Sequence, residues 1–127
     1  MHKIAIIEDA EDNRELLYYL LRDEFNVSRH GSGEEALRHF TRDAPDLIVL
    51  DIWLPGMSGI DVLREVRQDP GLNGIPILAL TANAMSGDRE KYLAAGFDDY
   101  ASKPIVDIEA FIGTLRRLLA IRNTPAD

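Results

Sequence analysis

Apolar runs alternate with stretches whose apolar residues recur every three or four positions, from one end of the chain to the other. The runs predict strands over Lys3–Glu8, Asn26–His30, Asp46–Asp51, Ile75–Thr81 and, more weakly, Asp98–Ser102. The periodic stretches predict helices over about Asp12–Asp23, Gly33–Asp43, Gly59–Gln68, Asp88–Ala95 and Asp107–Arg122. The last is the clearest, with Ile108, Phe111, Ile112, Leu115, Leu118 and Leu119 on one stripe. In the first, Leu16, Leu17, Leu20 and Leu21 share a side, and Asp12 is the expected N-cap with Glu15 three residues on. The segments IAII, LIVL and ILAL are continuously apolar, which is how strands covered on both faces by helices read. Strand–helix units joined by short connections imply a parallel sheet with right-handed crossovers, a doubly wound α/β sandwich.

The length of 127 residues fits one domain over 1–122, with 123–127 as a loose tail. The formal net charge is −8, from 22 acids against 14 Lys and Arg, which argues against direct nucleic-acid binding because a basic face supplies most of that affinity. The absence of cysteine excludes disulfides, thiol nucleophiles and Cys-based metal sites. No stretch has signal-peptide architecture or membrane-spanning length, so the expectation is a cytoplasmic protein without a membrane partner.

Charge matters most where the strands end. An open parallel sheet binds its ligands outside the carboxyl ends of its strands. The first predicted strand ends in Glu8-Asp9, the third in Asp51 and the fourth in Thr81, while Lys103-Pro104 follows the fifth. Each has a bland reading: an acidic loop before a helix, which suits Glu11 and Asp12 best, a threonine at a strand end, a lysine in a turn. Asp51 resists it, because it follows Leu47–Leu50 and should lie near buried backbone. Three acids brought together raise one another's pKa unless a cation compensates. Mg²⁺ is the natural one, since it takes one or two carboxylates and keeps waters and phosphate oxygens. Metal, lysine and hydroxyl would stabilise a phosphoryl group, and a carboxylate is a recognised nucleophile for forming an acyl phosphate. There is no G-x-x-x-x-G-K-[ST], and the turn Glu8–Asp12 is acidic where a nucleotide fold needs glycines. Ser58, Ser86 and His39 show no triad signature, and surface or capping roles suffice for them.

Taken together and in order, these residues resemble the receiver domains of bacterial response regulators from Lys3 to about Leu119. The resemblance rests on Glu8-Asp9, on Asp51 in D-x-x-L-P-G-M-S-G, on Thr81-Ala82 and on Lys103-Pro104. It implies a flavodoxin-like fold with strand order 2-1-3-4-5. It further implies that Asp51 accepts phosphate from a histidine on a partner, a histidine kinase or a histidine phosphotransfer protein. Mg²⁺ would be held by Glu8, Asp9, Asp51 and the carbonyl of Trp53. Thr81 and Lys103 would engage the phosphoryl group, and the Lys103–Pro104 bond would be cis. Tyr100 matches the aromatic that turns inward when the threonine moves, coupling the site to the face of the fourth helix, fifth strand and fifth helix. That face would control a downstream protein target or pass phosphate onward. The domain would catalyse nothing beyond its own phosphorylation and dephosphorylation.

Two positions depart from the commonest pattern. Glu8 stands where an aspartate is frequent, and its longer arm suggests contact with the metal through water. Trp53 is bulky for its place; it either shields the phosphoryl group from water or covers neighbouring apolar surface. The stretch Thr81–Lys103 is similar to relay and cell-cycle single-domain receivers and to hybrid-kinase receivers. Read as a complete protein, the chain is a stand-alone receiver; excision from a hybrid kinase is the alternative. Two rival functions fit the residues less well. A haloacid-dehalogenase-like phosphatase would need a second acid where Trp53 stands, and a cap. A pseudo-receiver would need a defective site, and every position here is filled by a workable residue.

Overall fold

The computed structural model describes residues 1–82 and 85–122, with the backbone alone for Arg122. The expected tail at 123–127 lies outside them. Five parallel strands, β1 (Lys3–Ile7), β2 (Asn26–His30), β3 (Leu47–Asp51), β4 (Ile77–Thr81) and β5 (Asp99–Ser102), form one sheet in the order β2-β1-β3-β4-β5. Helices α1 (Glu11–Leu21), α2 (Gly33–Phe40), α3 (Gly59–Gln68), α4 (Asp88–Ala95) and α5 (Ile108–Arg122) fill the crossovers. Fold class and strand order are those the sequence implied.

The continuously apolar strands are explained by alternation through the sheet. Ala5, Ile7, Ile48, Leu50, Ile77 and Ala79 face a core closed by Ala36 and Phe40 of α2, Val62, Leu63 and Val66 of α3, and Tyr92 of α4. Ile4, Ile6, Leu47, Val49, Leu78 and Leu80 face the opposite core, closed by Leu17 and Leu21 of α1 and Phe111, Leu115, Leu118 and Leu119 of α5. Side chains on a strand alternate between faces, so a doubly covered strand needs apolar residues at every position.

Local chemistry sets the helix ends. Ser32 caps α2 by accepting from the Glu35 N–H at 3.2 Å. Ser58 and Asp61 form a capping box at the start of α3 (3.2 and 3.1 Å). Asp107, expected to open the last helix, instead caps it by accepting from the Ala110 N–H at 3.0 Å. The expected cap of the first helix is corrected: Ala10 holds the N-cap position with no side-chain bond, and Asp12 lies inside the first turn beside Glu11. There both acids complement the positive end of the helix dipole rather than its open N–H groups. Helix α2 ends at Phe40, three residues earlier than expected. No helix among the described residues is long and apolar enough to cross a membrane.

Candidate functional site

The register of the sheet places the strand ends side by side. Ile7 of β1 pairs with Leu50 of β3, so Glu8 and Asp51 are the next neighbours along the rim. Asp51 pairs with Leu80 of β4, and Thr81 with Ser102 of β5, immediately before Lys103. The Lys103 N–H then donates to the Thr81 carbonyl at 2.8 Å.

Carboxylate oxygens of Glu8, Asp9 and Asp51 all lie within 4.8 Å of one another. Glu8 is fully buried and Asp51 is 3% exposed, whereas Asp9 opens to solvent. Lys103 reaches between them: its Nζ donates to Glu8 Oε1 at 2.8 Å and to Asp51 Oδ2 at 3.1 Å. The other Asp51 oxygen, Oδ1, accepts from the Trp53 N–H at 3.0 Å. The Lys103–Pro104 peptide is cis, as the resemblance implied. Gly59 lets α3 close on this corner. Its N–H donates to the Ile52 carbonyl at 3.0 Å, and a Cβ there would stand 2.6 Å from the Asp51 carbonyl oxygen.

The protons divide unevenly. Burial, and next a hydrogen bond shared with Asp51, push the Glu8 carboxyl up to about 7, against the opposing pull of Lys103. Burial acts on Asp51 in the same direction, but the bonds from Glu8, the Trp53 N–H and Lys103 outweigh it and hold Asp51 below the usual carboxylate range. For Lys103 burial is likewise outweighed, here by the two carboxylates, so its ammonium stays charged. Below about pH 7 the pair therefore shares one proton, held on Glu8, and Asp51 is the ionised partner.

The donor set suits a hard divalent cation. It consists of oxygens, it carries more negative charge than one lysine offsets, and buried Glu8 Oε2 accepts no hydrogen bond from the described residues. Of the residues expected at the site, the structure brings Glu8, Asp9, Asp51, Thr81 and Lys103 to one rim. The Trp53 indole is 63% exposed and so covers little apolar surface. Tyr100 stands apart. It pairs with Ala79 within the sheet, and its ring stacks on Tyr92 of α4 with centroids 5.5 Å apart.

Arg14 had no motif to announce it. From α1 its Nη1 donates to the Glu8 carbonyl at 3.0 Å and reaches the Asp9 carbonyl at 3.4 Å. The one available signal was a lone arginine in an acidic helix start, between Asp12 and Glu15.

Known proteins are similar to this chain in sequence and fold. The profile of the response regulator receiver domain matches residues 4–116. The polar-differentiation response regulator DivK of Brucella ovis is 39% identical over 117 residues, covering 91% of this chain and 94% of that protein. The response regulator PleD of Caulobacter vibrioides is 39% identical over 110 residues, 86% of this chain but 24% of PleD. For the phosphate regulon regulatory protein PhoB of Rhizobium meliloti the figures are 44% over 103 residues, 80% of this chain and 45% of PhoB. The chain thus spans about a quarter of PleD and under half of PhoB. Among solved structures, the receiver domain of a Pseudomonas aeruginosa sensor histidine kinase, with magnesium coordinated in its active-site cleft, superposes with a TM-score of 0.84. It is 34% identical, and the match covers 94% of this chain and 98% of that one. The Vibrio cholerae chemotaxis protein CheY4 gives a TM-score of 0.84 at 27% identity, covering 93% and 98%. With sequence, sheet order and rim chemistry in agreement, this chain belongs to the receiver domains of two-component response regulators.

Proposed function

We propose that residues 1–122 act as one phosphorylation switch in which Asp51 takes a phosphoryl group from a phosphohistidine of a partner kinase or phosphotransfer protein. The observation that carries this reading is the ionised, nearly buried Asp51 at the β3 end, held by the Trp53 N–H and Lys103 beside two further acids. In the transfer an Asp51 carboxylate oxygen forms the new O–P bond as the P–N bond to the donor imidazole breaks, and the imidazole keeps the electron pair. Glu8, Asp9, Asp51 and the Trp53 carbonyl would hold Mg²⁺, which supplies positive charge opposite the phosphoryl oxygens when bound. Lys103 would give up its bond to Asp51 and pair with the phosphoryl group, and the Thr81 hydroxyl would donate to it.

The new charge at Asp51 acts on its neighbours. Thr81 and Lys103 are joined through the backbone, and Tyr100 sits three residues before Lys103, packed beneath α4. Movement of Thr81 and Lys103 toward the phosphoryl group would therefore alter the face of α4, β5 and α5, which meets a downstream protein target. This is self-modification and not turnover of a separate substrate, and the location we propose for the domain is the cytoplasm, with its donor.

Incubation with Mg²⁺ and acetyl phosphate, followed by intact mass, tests the reading. One phosphate-sized adduct is expected, absent in Asp51→Asn and absent with chelator. An adduct that persists in Asp51→Asn would overturn Asp51 as the acceptor.

A further inference from the structure

We infer that Arg14 is a positioning residue for the proposed metal site, fixing the turn that presents Glu8 and Asp9, and that Gly31 is its seat. The inference rests on the Mg²⁺ reading above. Arg14 lies half-buried in α1 among Glu11, Asp12 and Glu15. A surface arginine there would be expected to pair with a carboxylate one turn away, such as Glu11. Among the described residues Arg14 makes no ion pair, and its Nη1 goes to the carbonyl oxygens of Glu8 and Asp9. Those two carbonyls belong to the residues whose side chains supply the site, so a bond to them fixes the backbone from which both carboxylates project.

The guanidinium also spans two turns. Beyond the β1–α1 turn it lies over Gly31, where a Cβ would come within 3.3 Å of Nη1 and 3.9 Å of the guanidinium carbon. Gly31 follows His30, whose carbonyl accepts from the Glu8 N–H at 3.0 Å. The turn after β2 and the turn after β1 are thus joined once by backbone and once by Arg14. The lack of a side chain at Gly31 makes room for the second link.

Charge and position predict opposite results, which makes the role separable. As a bare cation near three acids, Arg14 disfavours a divalent ion, and its removal should tighten binding. As a positioning group it should do the reverse, because residues that orient metal ligands typically contribute about 10-fold or more in affinity.

The test is an NMR titration with MgCl₂ of wild type, Arg14→Ala, Arg14→Lys, Gly31→Ala and the Arg14→Ala/Gly31→Ala double variant, at matched folded fraction. Both Arg14 variants should bind Mg²⁺ about 10-fold more weakly. Gly31→Ala should weaken binding less, and should add nothing once Arg14 is gone. In chelator, amide exchange at residue 8 and residue 14, whose N–H groups bond His30 and Ala10, should speed up in both Arg14 variants. Wild-type or tighter Mg²⁺ binding in Arg14→Ala, or a Gly31→Ala effect of equal size with and without Arg14, would overturn the inference. A wild type that binds no Mg²⁺ would sink the metal reading instead, and the exchange data would still decide whether Arg14 holds the turn.

Discussion

Lys103 Nζ stands 2.8 Å from Glu8 Oε1, although the two residues are 95 positions apart and Glu8 has no exposed surface. The same ammonium reaches Asp51 at 3.1 Å. One lysine thus faces two buried carboxylates, and below about pH 7 a proton on Glu8 makes up the difference in charge.

That proton gives stability a pH dependence in chelator. Glu8 has an ordinary value of 4.5 and rises to about 7 in the fold. Between those values the folded chain binds a proton that the unfolded chain has lost. The contribution is therefore full below about 4.5 and disappears as pH rises through 7. Urea melts in chelator should show stability falling by about 1–3 kcal/mol from this source between pH 5 and 8. His30 acts in the opposite sense, because burial lowers its pKa below 6.5 and its contribution grows as pH rises. The difference curve between wild type and Glu8→Gln isolates the Glu8 part, and excess Mg²⁺ should flatten it by competing with the proton. A difference curve without slope would mean that Glu8 is ionised in the metal-free fold.

Asp51→Asn should change metal-free stability by no more than about 1 kcal/mol at neutral pH, the net scale of a single hydrogen bond. Two effects offset one another. The variant loses an ion pair with Lys103, and it frees Glu8 to ionise and take Lys103 for itself. Asparagine keeps an oxygen for the Trp53 N–H. Mg²⁺ should then raise the midpoint of wild type well above that of the variant, by binding the folded state alone. Chelator melts that place the variant several kcal/mol below wild type would show that Glu8 cannot replace Asp51 as the partner of Lys103.

Trp53 offers an optical readout. Its N–H is bonded to Asp51 while its indole is 63% exposed, and it is the only tryptophan in the chain. Its fluorescence should change on adding Mg²⁺ and again with beryllofluoride, with Ca²⁺ a poor substitute because Mg²⁺ demands compact octahedral geometry. A flat emission spectrum through both additions would place the metal away from the Trp53 backbone.

Tyr100→Phe should leave the fold as stable as wild type or up to about 1 kcal/mol more so, because the Tyr100 hydroxyl is out of solvent and has no hydrogen-bond partner among the described residues. The ring stacking on Tyr92 survives the change. A loss above about 1 kcal/mol in urea melts would reveal a partner for the hydroxyl.

Arg67 should matter for the fold in the way Arg14 matters for the site. Its guanidinium donates to the carbonyls of Gly96, Asn73 and Ile75 (3.0, 3.0 and 2.7 Å) and to Asp98 Oδ2 at 2.8 Å. Asp98 in turn accepts from the Ile77 N–H at 2.8 Å. The end of α3, the entry to β4 and the entry to β5 are thereby tied together. Arg67→Ala should cost about 2 kcal/mol or more, and Arg67→Lys should recover little, since a single ammonium cannot span that fork. A lysine variant with wild-type stability would show that the fork is dispensable.

The sequence was legible where one residue type has one use. Asp51 after four apolar residues, and Lys103 before a proline, could be placed on a rim because strand ends follow from the apolar runs. Helix α1 was read less well. Asp12 satisfies the capping pattern, but the chain enters the helix at Ala10, and spacing alone could not choose between them. Arg14 and Arg67 escaped notice for a shared reason. Both bond backbone carbonyls of segments brought together by the fold, and a carbonyl has no letter in a sequence. The state of Glu8 was out of reach as well, because it depends on complete burial and on the distance to Lys103.

The sheet also acts as a partition. Residues of one parity on β1, β3 and β4 pack with α2, α3 and α4, and residues of the other parity pack with α1 and α5. Neighbours such as Val49 and Leu50 therefore pack against different sets of helices although they share one strand. Beyond the last apolar residues of the strands the partition ends in a polar corner, where Lys103 bonds Glu8 at the end of β1 and Asp51 at the end of β3.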